Sequence, residues 1–352
     1  MRIVIPAETF SGESRVAATP ETVKKMVADG HVVTVQQSAG CGAMIRDEDF
    51  VAAGAEITTD LCASLLQADM VLKVRAPLDD EITAIRQGAV VVAIYSPSTN
   101  PNLMAYSDAN LTCFALELVP RISRAQSMDV LSSQANIAGY KAVLMAQQYY
   151  PHFMPMLMTA AGTVQPARLL VLGAGVAGLQ AIATARRLGA MVEVFDVRPA
   201  AREQVESLGA RFIAVEGGED GEDSGGYAKE MSDDYRQRQS ELVSERAKEA
   251  DIIITTALIP GRPAPLLIAA EVVEQMRMGS VIVDLAAEMG GNCPLTRKDE
   301  VINHNGVTII GDSNIPSRMA ADASTLYARN MLSFIGLLTN SEGSVDIDVD
   351  DE

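Results

Sequence analysis

Three glycines and one aspartate have the types and spacing that bind the pyrophosphate and ribose of a dinucleotide. Gly173, Gly175 and Gly178 form a G-x-G-x-x-G pattern, and Asp196 lies 18 residues after Gly178. The first glycine permits a tight turn, the second lets the backbone approach a pyrophosphate, and the third lets a helix pack closely on a strand. A carboxylate at the position of Asp196 can accept hydrogen bonds from both hydroxyls of an adenosine ribose.

The residues around this pattern predict the elements that such a site requires. RLLVL precedes the glycines as an apolar strand, VAGLQAIATARRLG follows as a helix, and MVEVFD forms a second strand that ends in the aspartate. The start of the helix would present free N–H groups and the positive end of its dipole to the phosphates. Asp196 favours NAD, because a 2′-phosphate would lie against a carboxylate, whereas the nearby Arg198 could accommodate that phosphate. The alternative is an ordinary strand-to-helix turn followed by a surface aspartate.

Composition excludes several classes of protein. The 352-residue chain has a formal net charge of −18, which argues against nucleic-acid binding and direct binding to anionic lipid. No apolar run approaches the roughly 20 residues that span a bilayer, and MRIVIPAETF enters a strand without a signal-peptide pattern. We therefore expect no direct membrane insertion. The four cysteines show no C-x-x-C spacing, so we also expect a reducing compartment and no metal site. The three histidines lie in no catalytic pattern: His31, His152 and His304.

Short apolar strands alternate with helices along most of the chain. This βα pattern predicts an α/β fold with parallel sheets and helices on both faces. We expect two doubly wound, Rossmann-like domains linked by long helices, with a cleft between them. The first domain would comprise residues 1–130 together with 319–352, and the NAD-binding domain residues 131–318. A helical pattern over 125–149 would cross from one domain to the other.

Further motifs are specific to one family. PRISRAQSMDVLSS begins at Pro120 and leads into NIAGY, and DIIITTALIPGRPAP, VIVDLA and GGNCP follow the glycine pattern. With these motifs, residues 1–340 resemble the NAD(H)-binding domain I, the first segment of the alpha subunit, of proton-translocating NAD(P) transhydrogenases. Alanine dehydrogenases are wider relatives. The family domain usually continues past an acidic segment like SEGSVDIDVDDE into another strand and a linker, whereas this sequence ends at Glu352.

The resemblance gives a role to the loop after Pro120. In transhydrogenases an arginine, a glutamine and an aspartate of this loop surround the nicotinamide end of NAD(H). The matching positions are Arg121, Gln126 and Asp129, with Ser132 nearby. A side-chain amide can bond the nicotinamide amide or ribose and fix which ring face is presented, as hydride transfer over about 3–3.5 Å demands. An Arg121–Asp129 pair could hold the loop in shape; the alternative is a helix start carrying solvated charges.

Other cofactor contacts follow from the same resemblance. Val176 would offer its backbone N–H to the pyrophosphate, Asp196, Val197 and Arg198 would line the adenosine ribose, and Leu258 would border the cofactor.

Residues 217–239 have the composition of a flexible acidic loop. The family has a mobile loop here that closes over the nucleotide, and GGYAKEM matches its core. The resemblance therefore implies contacts from Gly226, Tyr227, Met231 and Gln239, which would exclude water from the transferring hydride.

Differences from the alanine dehydrogenases favour the transhydrogenases as the family that this sequence resembles. Arg15 and Lys73 match residues with which those enzymes grip the substrate carboxylate, but their histidine and aspartate are replaced by Ser96 and Glu288. Without the imidazole, the group that shuttles the amine or hydroxyl proton is missing. Arg15 and Lys73 are therefore interpreted as structural charges. A self-contained alanine-type dehydrogenase and a non-catalytic NAD-sensing module stay as alternatives.

The resemblance implies an NAD(P)+ transhydrogenase, Re/Si-specific and proton-translocating, that is active only with partner subunits. This chain would bind NAD(H) and pass hydride between NADH and NADP+ held on a partner's NADP(H)-binding domain. A membrane proton-channel domain would couple the transfer to proton movement. The chain would lie on the cytoplasmic or matrix-equivalent side of an energy-transducing membrane, peripheral through its partners, as a homodimer like others of the family.

Overall fold

Two compact units make up the chain. The computed structural model describes residues 1–215, 232–259, 261–340 and 342–351. One unit combines Met1–Gln134 with Pro316–Glu352, and the other is Ala135–Ile315.

The first unit is built on a six-stranded parallel sheet. Its strands are β1 (Arg2–Ile5), β2 (Val32–Gln36), β3 (Glu56–Thr58), β4 (Met70–Arg75), β5 (Val90–Ile94) and β6 (Thr112–Ala115). They lie in the order β3-β2-β1-β4-β5-β6, the order of dinucleotide-binding folds. Alternate residues of the strands feed two apolar clusters: Ile3 and Ile5 join one, and Val4 joins the other. Both faces of the sheet are therefore covered, as the βα pattern predicts.

Five short helices connect these strands: α1 (Pro20–Ala28), α2 (Asp47–Ala52), α3 (Leu61–Leu65), α4 (Asp79–Ala84) and α5 (Leu103–Asp108). The start of α1 follows from its sequence, because the Thr19 amide donates to Thr22 Oγ1 over 3.0 Å and Pro20 occupies the first helical position.

The helix expected over 125–149 begins later than predicted. Residues 123–128 form a 3₁₀ turn, and the α-helix α6 runs over Val130–Tyr149. Asp129 explains the break, because its carboxylate accepts the Ser132 amide at 2.8 Å and so caps the helix. The helix begins in the first unit and continues into the second.

The second unit holds a seven-stranded sheet. A separate hairpin, β7 (Leu157–Thr159) with β8 (Gly162–Val164), precedes it. The sheet strands are β9 (Arg168–Leu172), β10 (Met191–Phe195), β11 (Arg211–Ile213), β12 (Ile252–Thr255), β13 (Val281–Asp284), β14 (Val301–His304) and β15 (Val307–Ile310). They lie in the order β11-β10-β9-β12-β13-β15-β14. Leu169 and Val171 pack on one face, and Leu170 and Leu172 on the other. Both units are thus doubly wound α/β folds, as expected.

One edge of this sheet departs from the purely parallel expectation. Strand β14 pairs with β15 antiparallel, with His304 opposite Val307. Asn305 and Gly306 connect them and both have positive φ, 50° and 85°. An Asn-Gly pair with positive φ at both residues is typical of a two-residue hairpin. The parallel sheets expected from the sequence did not include this antiparallel strand.

The remaining helices are α7 (Val176–Arg187), α8 (Ala201–Ser207), α9 (Asp233–Glu249), α10 (Ala270–Val273) and α11 (Ala320–Ile335). The last of them belongs to the first unit, and its Tyr327 is fully buried and donates to the Lys73 carbonyl at 2.8 Å. Among the described helices, none combines the length and apolar character that crossing a membrane takes.

Candidate dinucleotide site

The glycine turn joins β9 to α7 as the spacing predicts. Gly173 has φ +104°, which favours glycine, and its carbonyl accepts a hydrogen bond from Thr256 Oγ1 at 3.1 Å. A methyl group added to Gly178 would overlap the carbonyl oxygen of Gly173, so helix and strand touch at this point. Gly175 lies at the N-cap of α7, and no heavy atom comes within 4 Å of where its Cβ would stand.

The start of α7 fits a phosphate. Val176 is the first residue of the helix and is partly exposed. The first amides of a helix have no acceptor within it, and they carry the positive end of the helix dipole. The open space above Gly175 therefore lies beside donors suited to an anion.

Asp196 is buried and is the centre of a small hydrogen-bonded network. Its Oδ2 accepts from the Ala174 amide at 2.6 Å and from Arg198 Nη2 at 2.9 Å. Its Oδ1 accepts from the Arg198 amide at 2.8 Å and from Arg198 Nε at 2.9 Å. The structure thus brings the predicted aspartate to the glycine turn and adds a two-pronged ion pair with Arg198.

The other described site residues of this unit lie on separate segments, after β10, after β12 and in α9. Val197 packs partly buried against the cluster beneath the sheet, and Leu258 is half-exposed in the loop after β12. Gln239 lies in α9 and is half-buried. Gly226, Tyr227 and Met231 lie outside the described residues.

A buried aspartate that sequence reasoning missed organises the next two loops. Asp284, fully buried at the end of β13, accepts from Thr255 Oγ1 at 2.9 Å, Thr296 Oγ1 at 2.6 Å and the Asn292 amide at 2.8 Å. The Asn292 side chain in turn accepts from the Ala257 amide at 3.2 Å and donates to the Ala257 carbonyl at 2.9 Å. This chain of bonds fixes the backbone next to Leu258. The sequence could have indicated this residue, because the apolar run VIVD ends in a carboxylate.

The loop after Pro120 lies in the first unit. Arg121 and Gln126 are exposed, and Asp129 is half-buried. Both carboxylate oxygens of Asp129 bond Ser132, one to its amide at 2.8 Å and the other to its hydroxyl at 2.6 Å. Within the described residues of the loop no salt bridge joins Arg121 to Asp129, so the expected pair is replaced by the helix cap. The cap forms because Ser132 is three residues along, whereas Arg121 is eight residues back.

Arg15 and Lys73 are buried and paired with carboxylates of the same unit. The Arg15 guanidinium contacts Glu13 through Nε at 2.7 Å and Nη2 at 2.6 Å, and its Nη1 donates to Gln134 at 2.8 Å. Lys73 Nζ lies 2.7 Å from Glu81. Side chains of the first unit therefore hold both cations, which fits their interpretation as structural charges.

The carboxyl groups of Glu13 and Glu8 have pKa values shifted in opposite directions. Burial raises the pKa of Glu13, but the hydrogen bonds and charge of Arg15 outweigh burial and lower the pKa from 4.5 to about 2. For Glu8, burial raises the pKa above its usual 4.5, and the charge of Lys73 offsets this only in part. Glu8 Oε2 lies 3.6 Å from Lys73 Nζ.

The two positions that differ from alanine dehydrogenases have their own settings. Ser96 has φ +50°, and its amide donates to Glu117, which also accepts the Tyr95 amide at 2.8 Å. Glu288 is exposed in the 3₁₀ turn Ala287–Met289, just before the paired glycines. Ser96 thus lies in the loop after β5, and Glu288 lies in an exposed turn.

Comparison with known families covers nearly the whole chain. Residues 4–138 match the model of the alanine dehydrogenase/PNT N-terminal domain, and residues 142–352 match that of the alanine dehydrogenase/PNT C-terminal domain.

Individual relatives agree with these matches. A protein of Rhodospirillum rubrum, named as the first portion of an NAD(P) transhydrogenase subunit alpha, is 53% identical over 343 residues, which is 95% of this chain and 89% of the relative. A solved transhydrogenase structure from Sinorhizobium meliloti is 49% identical with a TM-score of 0.86, covering 95% of this chain and 93% of that one. A solved L-alanine dehydrogenase is 28% identical with a TM-score of 0.81, covering 96% and 90%.

Proposed function

The chain belongs to the alanine dehydrogenase/PNT family, and from this premise we propose that it is the NAD(H)-binding subunit of a proton-translocating transhydrogenase. In this role it presents NADH so that hydride passes to NADP+ held on a partner subunit. Its relatives with 45% to 53% identity carry the name NAD(P) transhydrogenase, whereas the alanine dehydrogenases share 28% to 30%.

One observation carries the proposal: the glycine turn and Asp196 form a single hydrogen-bonded unit at the start of α7. The Ala174 amide joins the two at 2.6 Å. The helix start would hold the pyrophosphate, with Val176 donating its backbone N–H, and the Asp196 carboxylate would accept the adenosine ribose hydroxyls. A carboxylate beside the ribose favours NAD over NADP, because it repels a 2′-phosphate.

The remaining site residues have proposed roles around this unit. Val197 and Arg198 line the ribose, and Leu258 borders the cofactor on the loop that Asn292 fixes. Gly173, Gly175 and Gly178 give the turn its shape. Gln239, with Gly226, Tyr227 and Met231 beyond the described residues, would close over the nucleotide and exclude water.

A bound nicotinamide would supply the hydride chemistry, and we propose that residues of the loop after Pro120 orient it. Gln126 is exposed and would bond the nicotinamide end, fixing the face that is presented. Ser132 holds Asp129, so the loop and the start of α6 are set together. Arg121 is proposed as the third residue of this group.

Partners complete the activity. We propose that the chain works with an NADP(H)-binding domain and a membrane proton-channel domain, as a homodimer held at the cytoplasmic or matrix-equivalent side of an energy-transducing membrane. The name of the Rhodospirillum rubrum relative, which denotes one portion of one subunit, supports a multi-subunit assembly.

Nucleotide binding and alanine oxidation test this proposal on the chain alone. Calorimetric titration is expected to show tighter binding of NADH than of NADPH. NAD+ with alanine is expected to give no reduction above background, because Ser96 offers no imidazole. Equal affinity for the two nucleotides would count against the nucleotide assignment, and steady alanine-dependent reduction would make the chain a dehydrogenase.

A further inference from the structure

The Arg198 side chain occupies the positions on Asp196 that a ribose diol needs. Its Nε donates to Oδ1 and its Nη2 donates to Oδ2, each at 2.9 Å. The backbone amides of Ala174 and Arg198 donate to the same two oxygens at 2.6 Å and 2.8 Å. An ionised carboxylate offers about four lone-pair sites. These four donors therefore fill Asp196.

Of the four donors, the guanidinium is the one that can leave. The two amides are fixed by the glycine turn and by the end of β10. The Arg198 side chain stands on a flexible stem and is 21% exposed, against 6% for Asp196. Two arriving hydroxyls would replace two N–H donors and keep the number of hydrogen bonds, but they would remove the cation from the carboxylate.

We propose that Arg198 competes with the ribose diol for Asp196 and thereby sets how strongly the chain distinguishes NAD(H) from NADP(H). This inference rests on the proposed nucleotide function. Competition lowers the affinity for a nucleotide with a free 2′-hydroxyl, because the ion pair must open first.

The displaced guanidinium changes the outcome for a 2′-phosphate. Arginine pairs readily with phosphate through its planar fork. A 2′-phosphate would thus meet a released cation as well as the carboxylate, and the repulsion from Asp196 would be partly offset. One side chain therefore weakens NAD(H) binding and softens the rejection of NADP(H).

Calorimetric titration of the full chain with NADH and with NADPH tests this in wild type and in Arg198→Ala. The variant is expected to bind NADH about threefold more tightly, the worth of a partly exposed ion pair. It is expected to bind NADPH about tenfold more weakly, because the bare carboxylate faces the phosphate. Arg202→Ala is the matched control, because it removes the same charge from a different contact. The Arg202 guanidinium lies 5.0 Å from the centre of the Phe212 ring. The NADH-to-NADPH affinity ratio is expected to stay at the wild-type value in this control.

Arg198→Lys provides a second measurement should the alanine variant fail to fold, as thermal unfolding would reveal. Lysine keeps the charge but cannot fork, so a smaller tightening for NADH is expected. Weaker NADH binding in the folded variants would overturn the proposal, since the Arg198 side chain would then contribute to NADH binding and not oppose it. Equal changes for the two nucleotides would also overturn it. If wild type binds neither nucleotide, the proposed function itself fails; if wild type binds NADH and the variants bind it no better, only this inference fails.

Discussion

The backbone amide of Ala174 donates to Oδ2 of Asp196 over 2.6 Å. Ala174 lies between the first two glycines of the turn, and Asp196 lies 22 positions later, at the end of the neighbouring strand. The residue that would recognise the ribose therefore also holds the turn that would recognise the pyrophosphate. A change at either position is expected to reach the other.

Substitutions at two glycines of the turn are expected to affect different properties, stability at Gly178 and NADH affinity at Gly175. Gly178→Ala would place a methyl group on the Gly173 carbonyl, so a loss of about 3 kcal/mol in the free energy of unfolding is expected. Gly175→Ala meets nothing within 4 Å and keeps a φ of −72°, so its stability should match wild type within about 0.5 kcal/mol. Its methyl group would nevertheless stand beside the helix start, and NADH affinity should fall about tenfold. Urea unfolding and NADH titration measure both, and normal NADH binding by Gly175→Ala would contradict the assigned pyrophosphate position.

Removing the Asp284 carboxylate is expected to lower the free energy of unfolding more than removing any one of its hydrogen-bond donors. Asp284→Ala leaves the hydroxyls of Thr255 and Thr296 and the Asn292 amide without their acceptor, so a loss of at least about 3 kcal/mol is expected. Thr296→Val removes one of these bonds and should cost about 1 kcal/mol. Thr325→Val at the exposed face of α11 is the matched substitution and should cost less than about 0.5 kcal/mol. Urea unfolding ranks the three, and equal losses for the two valine variants would refute the role of the network.

Acid stability should depend on Glu13. Its pKa in the folded chain, about 2, is below the ordinary 4.5, so its contribution is present above pH 4.5 and is lost as the pH falls towards 2. The difference corresponds to about 3 kcal/mol at about 1.36 kcal/mol per pKa unit. The raised pKa of Glu8 acts in the opposite sense, so wild type is compared with Glu13→Gln to isolate Glu13. The stability advantage of wild type should shrink by about 3 kcal/mol between pH 5 and pH 2, and an advantage independent of pH would exclude the Arg15 pairing as its cause.

Local sequence patterns predicted more of the fold than of the side-chain contacts. Apolar runs and glycine spacing predicted both doubly wound sheets and the turn at Gly173, because a buried parallel strand reads as a continuous apolar segment. The antiparallel strand β14 was missed, since its alternating VINH is short and half-polar. Pairings such as Arg198–Asp196 and Asn292–Ala257 depend on side-chain rotamers and on loops meeting in space, which spacing along the chain does not specify.

The same limit applies to the loop after Pro120. Opposite charges at Arg121 and Asp129 suggested an ion pair, but a local helix cap with Ser132 forms instead. Capping needs no long-range closure, so it is favoured over an ion pair to the exposed Arg121, which would be worth about 0–1 kcal/mol.

Gln126 should matter for hydride transfer and little for affinity. Gln126→Asn shortens the side chain by one methylene, which should leave NADH binding within about twofold of wild type. Misplacement by about 1 Å can cost up to about 100-fold in rate, so transfer in a reconstituted complex should slow at least about tenfold. Ser127→Ala, an exposed neighbour in the same turn, is the control. Unchanged turnover in Gln126→Asn would remove Gln126 from its proposed role.

Hydride transfer between the purified chain and an NADP(H)-binding partner subunit tests the central claim most directly. The chain is loaded with NADH and the partner with an NADP+ analogue whose reduced form absorbs at its own wavelength. Reduction of the analogue should appear only when both proteins are present, and alanine should have no effect on its rate. Absence of transfer in the mixture, or alanine-dependent reduction of NAD+ by the chain alone, would contradict the account.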